Sequence, residues 1–226
     1  MTRNKRPRGK CVFCGREMTR GGLSRHWEAC AEREKAIAVA EQGDERRQRL
    51  YQLQVQAVWG GDYWLHLEVN GTATLHDLDY YLRGIWLECC GHLSMFTYGG
   101  WSDEIPMDTR LDAVLEPGVE LTHLYDFGST SETLIKVRTG RTGRPLTAHP
   151  IFLLARNNPP DLRCMECGKP ATYLCLECLY EDDESGLLCD QHVQTHPHDD
   201  YGDPLPLGNS PRMGMCAYCG PSEPPY

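Results

Sequence analysis

Apolar residues alternate with polar ones at two places near the middle of the chain. Tyr51, Leu53, Val55 and Ala57 are separated by glutamines, and Tyr63, Leu65, Leu67 and Val69 repeat the pattern after Gly60-Gly61-Asp62. Period-two runs on either side of a glycine turn predict a β-hairpin, and Asn70-Gly71 closes its second strand. The period then changes. Leu75, Leu78, Leu82, Ile85 and Trp86 recur three or four apart, as an amphipathic helix requires, and Thr74 with Asp77 offers a reciprocal cap at its start. Residues 92–98 predict a short strand. Residues 119–127 and 133–138 predict a second hairpin turning at Gly128-Ser129, and residues 151–154 a last strand. Gly140, Gly143 and Pro145 are expected in a loop, and residues 101–115 look like an insertion between the two halves. The expected fold class is α+β, a central, mainly antiparallel sheet with one packed helix, spanning residues 51–155.

The flanks lack this pattern. Residues 31–49 are rich in Ala, Glu and Arg and predict a helix that is polar almost all round, with a break at Gly43-Asp44. Residues 31–50 therefore read as a helical linker. Asn157-Asn158-Pro159-Pro160 marks a boundary, and residues 161–226 carry too few large aliphatic side chains to form an apolar core of their own. Metal is the expected substitute.

Charge and cysteine content sharpen this picture. Residues 1–50 hold 13 Lys and Arg against 7 Asp and Glu, leaving 10 against 25 for the rest of a chain whose net charge is -9. A basic tail (residues 1–10, with Arg3, Lys5, Arg6, Arg8 and Lys10) on an acidic body suggests a polyanionic partner for the tail rather than nucleic-acid binding by the whole chain. No run approaches the roughly 20 apolar residues that span a bilayer, so no membrane association is expected. No apolar stretch follows the charged start, which favours a cytoplasmic, reducing compartment. Twelve cysteines in such a compartment point to metal ligation rather than disulfides.

Ten of the twelve lie in two terminal clusters. In residues 11–30 the order is Cys11-x2-Cys14-x11-His26-x3-Cys30. Two cysteines on a tight turn, with His and Cys expected one turn apart on a helix, place four soft donors around one tetrahedral ion. Phe13 and Gly15 suit the knuckle, and Leu23 and Trp27 are the candidates for a small core. Four donors leave no open position for chemistry, so the site reads as structural. In the carboxy-terminal segment the order is Cys164-x2-Cys167-x7-Cys175-x2-Cys178-x10-Cys189-x2-His192-x3-His196-x-His198, followed by Cys216-x2-Cys219. Ten candidates compete for eight places, so either His196 and His198 or Cys216 and Cys219 complete the second site. The expected total is about three zinc ions.

This succession of knuckles resembles the cross-brace modules of the B-box and MYND types. The resemblance implies that the first and third pairs share one ion (Cys164, Cys167, Cys189 and His192) and the second and fourth another (Cys175, Cys178, His196 and His198). The middle segment resembles the plasmid pRiA4b ORF-3-like family through Tyr51-Gln-Leu-Gln-Val55, Thr74-Leu-His-Asp-Leu78, Leu124-Tyr-Asp-Phe-Gly128 and Leu134-Ile-Lys-Val137. It departs after the third piece, where Ser129-Thr130 stands in place of an acidic residue and Trp. The resemblance implies a compact α+β domain of a bacterial and archaeal family often found beside mobile elements, and it carries no catalytic residue.

Other candidates have plainer readings. Cys89 and Cys90, at a helix end, suit inert buried thiols. Asp126 suits a turn residue bonding local amides. Trp59, Trp64, Trp86 and Trp101 suit the core. No phosphate loop, nucleophile elbow or paired-carboxylate motif is present. The function expected is that of a non-enzymatic adaptor, its basic finger on nucleic acid and its cross-brace module on protein. The alternatives are an enzyme acting through the central domain and a purely protein-binding module.

Overall fold

The computed structural model describes residues 6–59, 62–86, 90–198, 200–215 and 224–226. At the amino terminus β1 (Arg8–Lys10) and β2 (Glu17–Thr19) form a hairpin. After it come α1 (Arg20–His26), a single helical turn (Trp27–Ala29) and α2 (Ala31–Ala40). The central part runs through β3 (Gln48–Ala57), β4 (Trp64–Asn70), α3 (Leu75–Trp86), β5 (Ser94–Thr97) and β6 (Glu104–Ile105). It continues with α4 (Leu111–Val114), β7 (Glu120–Tyr125), β8 (Ser131–Gly143) and β9 (Ile151–Arg156). The carboxy-terminal part holds β10 (Tyr173–Leu174), α5 (Leu176–Tyr180), β11 (Leu187–Leu188), a helical turn (Val193–Thr195) and β12 (Leu205–Pro206).

Seven strands form one sheet in the order β6-β5-β7-β8-β3-β4-β9, and every neighbouring pair is antiparallel. The period-two positions do what their spacing predicts. Tyr51, Leu53, Val55 and Ala57 of β3 and Leu65, Leu67 and Val69 of β4 point to one face, where Leu75, Leu78, Tyr81, Leu82, Ile85 and Trp86 of α3 cover them. The cap of α3 is reciprocal: the Thr74 N–H donates to Asp77 Oδ2 at 2.7 Å and the Asp77 N–H to Thr74 Oγ1 at 3.3 Å. Beside α3, His123 Nε2 meets Asp79 Oδ1 at 2.8 Å in the interior. Burial alone would raise the Asp79 carboxyl, but His123, Ser94 and Arg83 together hold it below the ordinary carboxylate value.

Several elements depart from the sequence expectations. The helix expected over residues 31–49 ends at Ala40, and β3 starts at Gln48, three residues before the period-two run. The loop expected at Gly140 and Gly143 is strand as far as Gly143. Gln52 pairs with Thr139 and Leu53 with Val137, so Arg138 is an extra residue that shifts the register. The bulge lets residues 139–143 keep pairing with the start of β3. The segment 101–115 contributes β6 and α4 rather than a bare insertion. Trp64 and Trp86 are core, but Trp59 and Trp101 are 74% and 61% exposed. Both sit in loops beyond strand ends, where Trp101 lies edge-on to Phe127.

The second face of the sheet carries Gln52, Gln54, Trp64, His66 and Glu68, and the amino-terminal finger lies across it. Leu23, Trp27, Cys11 and Cys30 share a core with Trp64, Leu154 and Ala155. Trp27 and Trp64 pack edge-on against the His66 ring, with centroids 4.7 and 5.5 Å away. Glu68, almost fully buried, is gripped in bidentate fashion by Arg141 at 3.0 and 2.6 Å and reached by Arg33 of α2 at 3.4 Å. The hairpin also bonds the edge of β9. The Val12 N–H donates to Leu154 O, the Asn158 N–H donates to Arg8 O, and Gly9 bridges Asn157. Gly9 is obligatory there, because a Cβ would sit 2.1 Å from Arg156 O and 2.5 Å from the Trp64 ring.

His66 gives this docking a pH dependence. Its Nε2 lies 3.2 Å from Arg20 O. Burial, reinforced by the Arg20 and Arg138 charges, pushes its pKa down to about 3 against the opposing bond to that carbonyl. The unfolded chain takes up this proton near pH 6.5. Between those values the unfolded state therefore binds more protons, so stability falls as pH drops from about 6.5 towards 3, in the range of a few kcal/mol. His66→Phe keeps a ring between the two tryptophans and removes the titration. Urea titrations at pH 7 and pH 5 are expected to show a smaller loss on acidification for the variant than for the wild type; equal losses would assign the effect elsewhere.

Residues 205–215 return across the central part. Arg212, 2% exposed, donates to Asp126 Oδ2 at 3.0 Å, to Ser129 O at 2.7 Å and to Ser131 Oγ at 2.9 Å, with its guanidinium 5.1 Å from the centre of the Tyr125 ring. Ser210 Oγ donates to Trp86 O at 2.6 Å, and Asn209 exchanges hydrogen bonds with Asn157. Asp126 is thus a turn residue, accepting from the Gly128 and Ser129 N–H groups, and also the buried counter-ion of this strap.

Candidate metal centres

The amino-terminal cluster starts on the turn between β1 and β2. The Gly15 N–H donates to Cys11 O at 2.9 Å and the Cys11 N–H to Arg16 O at 3.1 Å. This turn needs Gly15 at φ 69°, in the left-handed region. Thr19 caps α1 through Gly22 N, and α1 ends at His26, which brings Nε2 to 3.2 Å from Cys14 Sγ. Cys30 is not on the same helix as His26, contrary to the sequence expectation. A separate helical turn intervenes, and Cys30 caps α2 in an extended conformation. Cys11, Cys14, His26 and Cys30 nevertheless present four donor atoms, all within 4.8 Å of one another.

The carboxy-terminal segment builds two clusters that interleave along the chain. Cys164, Cys167, Cys189 and His192 form one, and Cys175, Cys178, His196 and His198 the other. The first opens on a turn of the same design as the amino-terminal one. The Gly168 N–H donates to Cys164 O and the Cys164 N–H to Lys169 O, with Gly168 at φ 70°. His192 points Nδ1 at Cys164 Sγ (3.3 Å) and Cys189 Sγ (3.6 Å), and the Cys167 and Cys189 sulfurs are 3.8 Å apart. In the second cluster Cys175 caps α5, its Sγ accepting from the Cys178 N–H. Cys178 Sγ lies 3.3 Å from His196 Nε2 and 3.1 Å from His198 Nδ1, and Cys175 Sγ lies 3.9 Å from the latter. His196 and His198 complete this set among the described residues; Cys216, Cys219 and Cys89 lie outside them. Cys90 is half-buried and belongs to none of the three clusters.

The donor sets fit zinc. Sulfur at about 2.3 Å and nitrogen at about 2.0 Å from a tetrahedral ion stand roughly 3.3–3.8 Å apart, close to the separations found. No pair of described cysteines is bonded as a disulfide. Burial, with Cys175, Asp182 and Glu184 alongside, pushes the Cys178 thiol up to about 12. At Cys164 burial also raises the pKa, but the His192 side chain and the backbone N–H groups of Cys167, Cys189 and Glu166 outweigh it and bring the thiol down to about 6. Cys30 is raised by burial, while Cys14 is lowered chiefly by the Arg16 N–H. Binding a metal requires every thiol of a set to be deprotonated. Three closed sets of four ligands could each hold one zinc ion, as the ligand count predicts.

The strap anchor was not legible as a candidate. Nothing in Ser210-Pro211-Arg212 distinguishes it from loop, and Asp126 reads from the sequence as a turn residue. No helix of the described residues is long and apolar enough to cross a membrane. No protein-family model matches the chain, and no curated protein matches it. Among solved structures it is similar to a protein of unknown function from Methanosarcina mazei Go1, at 13% identity and a TM-score of 0.41, over 55% of this chain and 76% of that one.

Proposed function

We propose that the chain is a zinc-stabilised, non-enzymatic adaptor of the plasmid pRiA4b ORF-3-like kind, contacting nucleic acid through its basic amino-terminal finger and protein through its carboxy-terminal cross-brace module. The observation that carries this reading is the closure of all three clusters. Each has four protein ligands, and a zinc with four protein ligands has no position left for substrate or water. Zinc then acts by holding surfaces in shape. The uneven charge supports nucleic acid as the partner of the finger, since 13 of the 23 basic residues fall in the first 50.

Salt separates this reading from a purely protein-binding one. The zinc-loaded chain is expected to bind oligonucleotides with an affinity that falls steeply from low to physiological salt, as counterion release requires. Truncation should remove residues 1–5 only, because β1 starts at Arg8 and bonds β9. That truncation is expected to weaken binding. Affinity indifferent to salt would reject nucleic acid as the partner.

A further inference from the structure

Two adjoining cavities lie where the finger crosses the second face of the sheet. The larger, about 530 Å³, is lined by Arg6, Thr19, Arg20, Arg25, Gln54 and Trp64 among others. The smaller, about 150 Å³, is lined by Arg25 again, with Gln52, His66, Arg138 and Thr139 among others. Arg25 lines both, so the two are neighbours, and the groove is the pair of them. Its arginines come from different elements: Arg20 and Arg25 from α1, Arg138 from the bulge of β8.

None of Arg6, Arg20, Arg25 and Arg138 forms an ion pair or side-chain hydrogen bond among the described residues. Several arginines elsewhere are paired with carboxylates: Arg33 and Arg141 with Glu68, Arg47 with Glu41, Arg110 with Asp112, Arg163 with Asp161 and Arg212 with Asp126. Arg20 is the telling case, since it is half-buried and its guanidinium loses hydration without gaining a carboxylate. Arg6, Arg25 and Arg138 are exposed and keep their hydration, so together with Arg20 they give the recess a local excess of positive charge open to an anion. Glu28, at the edge of the smaller cavity, is the acidic side chain among the lining residues.

We infer that this groove binds the phosphodiester backbone of a single-stranded nucleic acid, with Arg20, Arg25 and Arg138 on its phosphates. The inference rests on the nucleic-acid reading of the finger and locates it. Duplex DNA is read by an element that enters the major groove, and α1 cannot do so. Its seven residues lie against the sheet through buried Leu23, with Trp27 just beyond, and its arginines face a recess. A single strand can lie in such a recess, as it does in positively charged grooves that track the backbone. The side chain of Gln54, which lines the larger cavity, has no hydrogen-bond partner among the described residues. Its amide both donates and accepts, which suits sugar hydroxyls and base edges better than an acidic peptide. The Trp64 ring is buried, so base stacking adds little, and the affinity is electrostatic.

The test uses the zinc-loaded full chain and fluorescence anisotropy with oligo(dT), a duplex of equal length and polyglutamate. Arg25→Ala and Arg138→Ala are each expected to weaken oligo(dT) binding about tenfold at low salt and to lower the log–log salt slope by about 0.7. Arg110→Ala, the same charge change outside the groove, is expected to leave both unchanged. Arg138 is decisive, because it belongs to the sheet and neither the tail nor the finger alone involves it. Oligo(dT) binding that survives both groove substitutions but is lost with residues 1–5 overturns the groove and leaves the nucleic-acid reading standing. No oligonucleotide binding by the wild type overturns both. Preference for duplex overturns the single-strand assignment, and equal affinity for polyglutamate reassigns the groove to an acidic protein segment.

Discussion

Replacing Cys164 by serine is expected to lower the zinc content from three ions per chain to one, because both carboxy-terminal sites belong to the module that unfolds, while the seven-stranded sheet persists. The asymmetry follows from what each part has besides metal. The sheet core rests on Leu53, Val55, Leu65, Leu67 and the α3 side chains, none of which is a ligand. The carboxy-terminal core is Cys175, Cys178 and Leu188, with Met165, Tyr173 and Val193 partly buried around them. Its strands are two residues each. Structural zinc contributes on the order of 10–16 kcal/mol of apparent folding energy in finger peptides, well above what the two buried leucines, Leu174 and Leu188, and a few half-buried side chains supply, at about 1.5–3 kcal/mol for a fully buried one. Cys11→Ser should be milder, because Leu23 and Trp27 stay packed on Trp64, Leu154 and Ala155. Elemental analysis gives the stoichiometry, and amide exchange at Tyr173, Leu174, Leu187 and Leu188 reports the module. A wild type holding one zinc or none, or a Cys164→Ser chain with those amides still protected, would falsify the assignment.

Arg212→Ala carries the second large effect. It removes a guanidinium that is almost wholly enclosed and leaves the Asp126 carboxylate buried without its partner. Breaking a buried pair in this way costs about 3–5 kcal/mol, read here as loss of the strap across residues 205–215. Asp126 is held at φ 62° by the Gly128 and Ser129 N–H groups, so it cannot readily turn outward to recover hydration. Burial works to raise its carboxyl, but Arg212, those two N–H groups and His92 together depress it. A depressed folded value means that this contribution is present above the unfolded carboxyl pKa and disappears as pH falls below it. Asp126→Asn combined with Arg212→Met should be less harmful than Arg212→Ala alone, since no charge is then left unpaired. Limited proteolysis within the strap and urea titration measure both variants. A loss below about 1 kcal/mol for Arg212→Ala would mean that the strap is held by other contacts.

The period-two and period-three-to-four positions identified the hairpin of β3 and β4, the cap and buried face of α3, and the pairing partners β7 and β8. These features are set locally, by residues close in sequence. What was not legible depends on distant partners. The continuation of β8 to Gly143 follows from a bulge whose reason is the length of β3, and the burial of His66 and Glu68 follows from a finger more than twenty residues upstream. A polar His-x-Glu on the outer face of a strand reads as solvent-facing unless Trp27 and Arg33 are known to lie on it. At the metal centres the four-ligand spacing was informative because zinc geometry depends on few atoms. The choice of His196 and His198 for the third set needed the turns of α5 and of residues 193–195 to bring Cys178 and the imidazoles together.

The bonds between the amino-terminal hairpin and β9 also have a bearing on solubility. A long sheet has two rims, each a row of unsatisfied amides and carbonyls open to a neighbouring molecule. One rim here is the two-residue β6, too short to template much. At the other, Val12 bonds Leu154 within six-residue β9, and Gly9 and Arg8 bond Asn157 and Asn158 just beyond its end. A first zinc that holds the hairpin turn in shape would therefore also help to cover this rim, and a metal-starved chain is expected to expose more of it while its core stays packed.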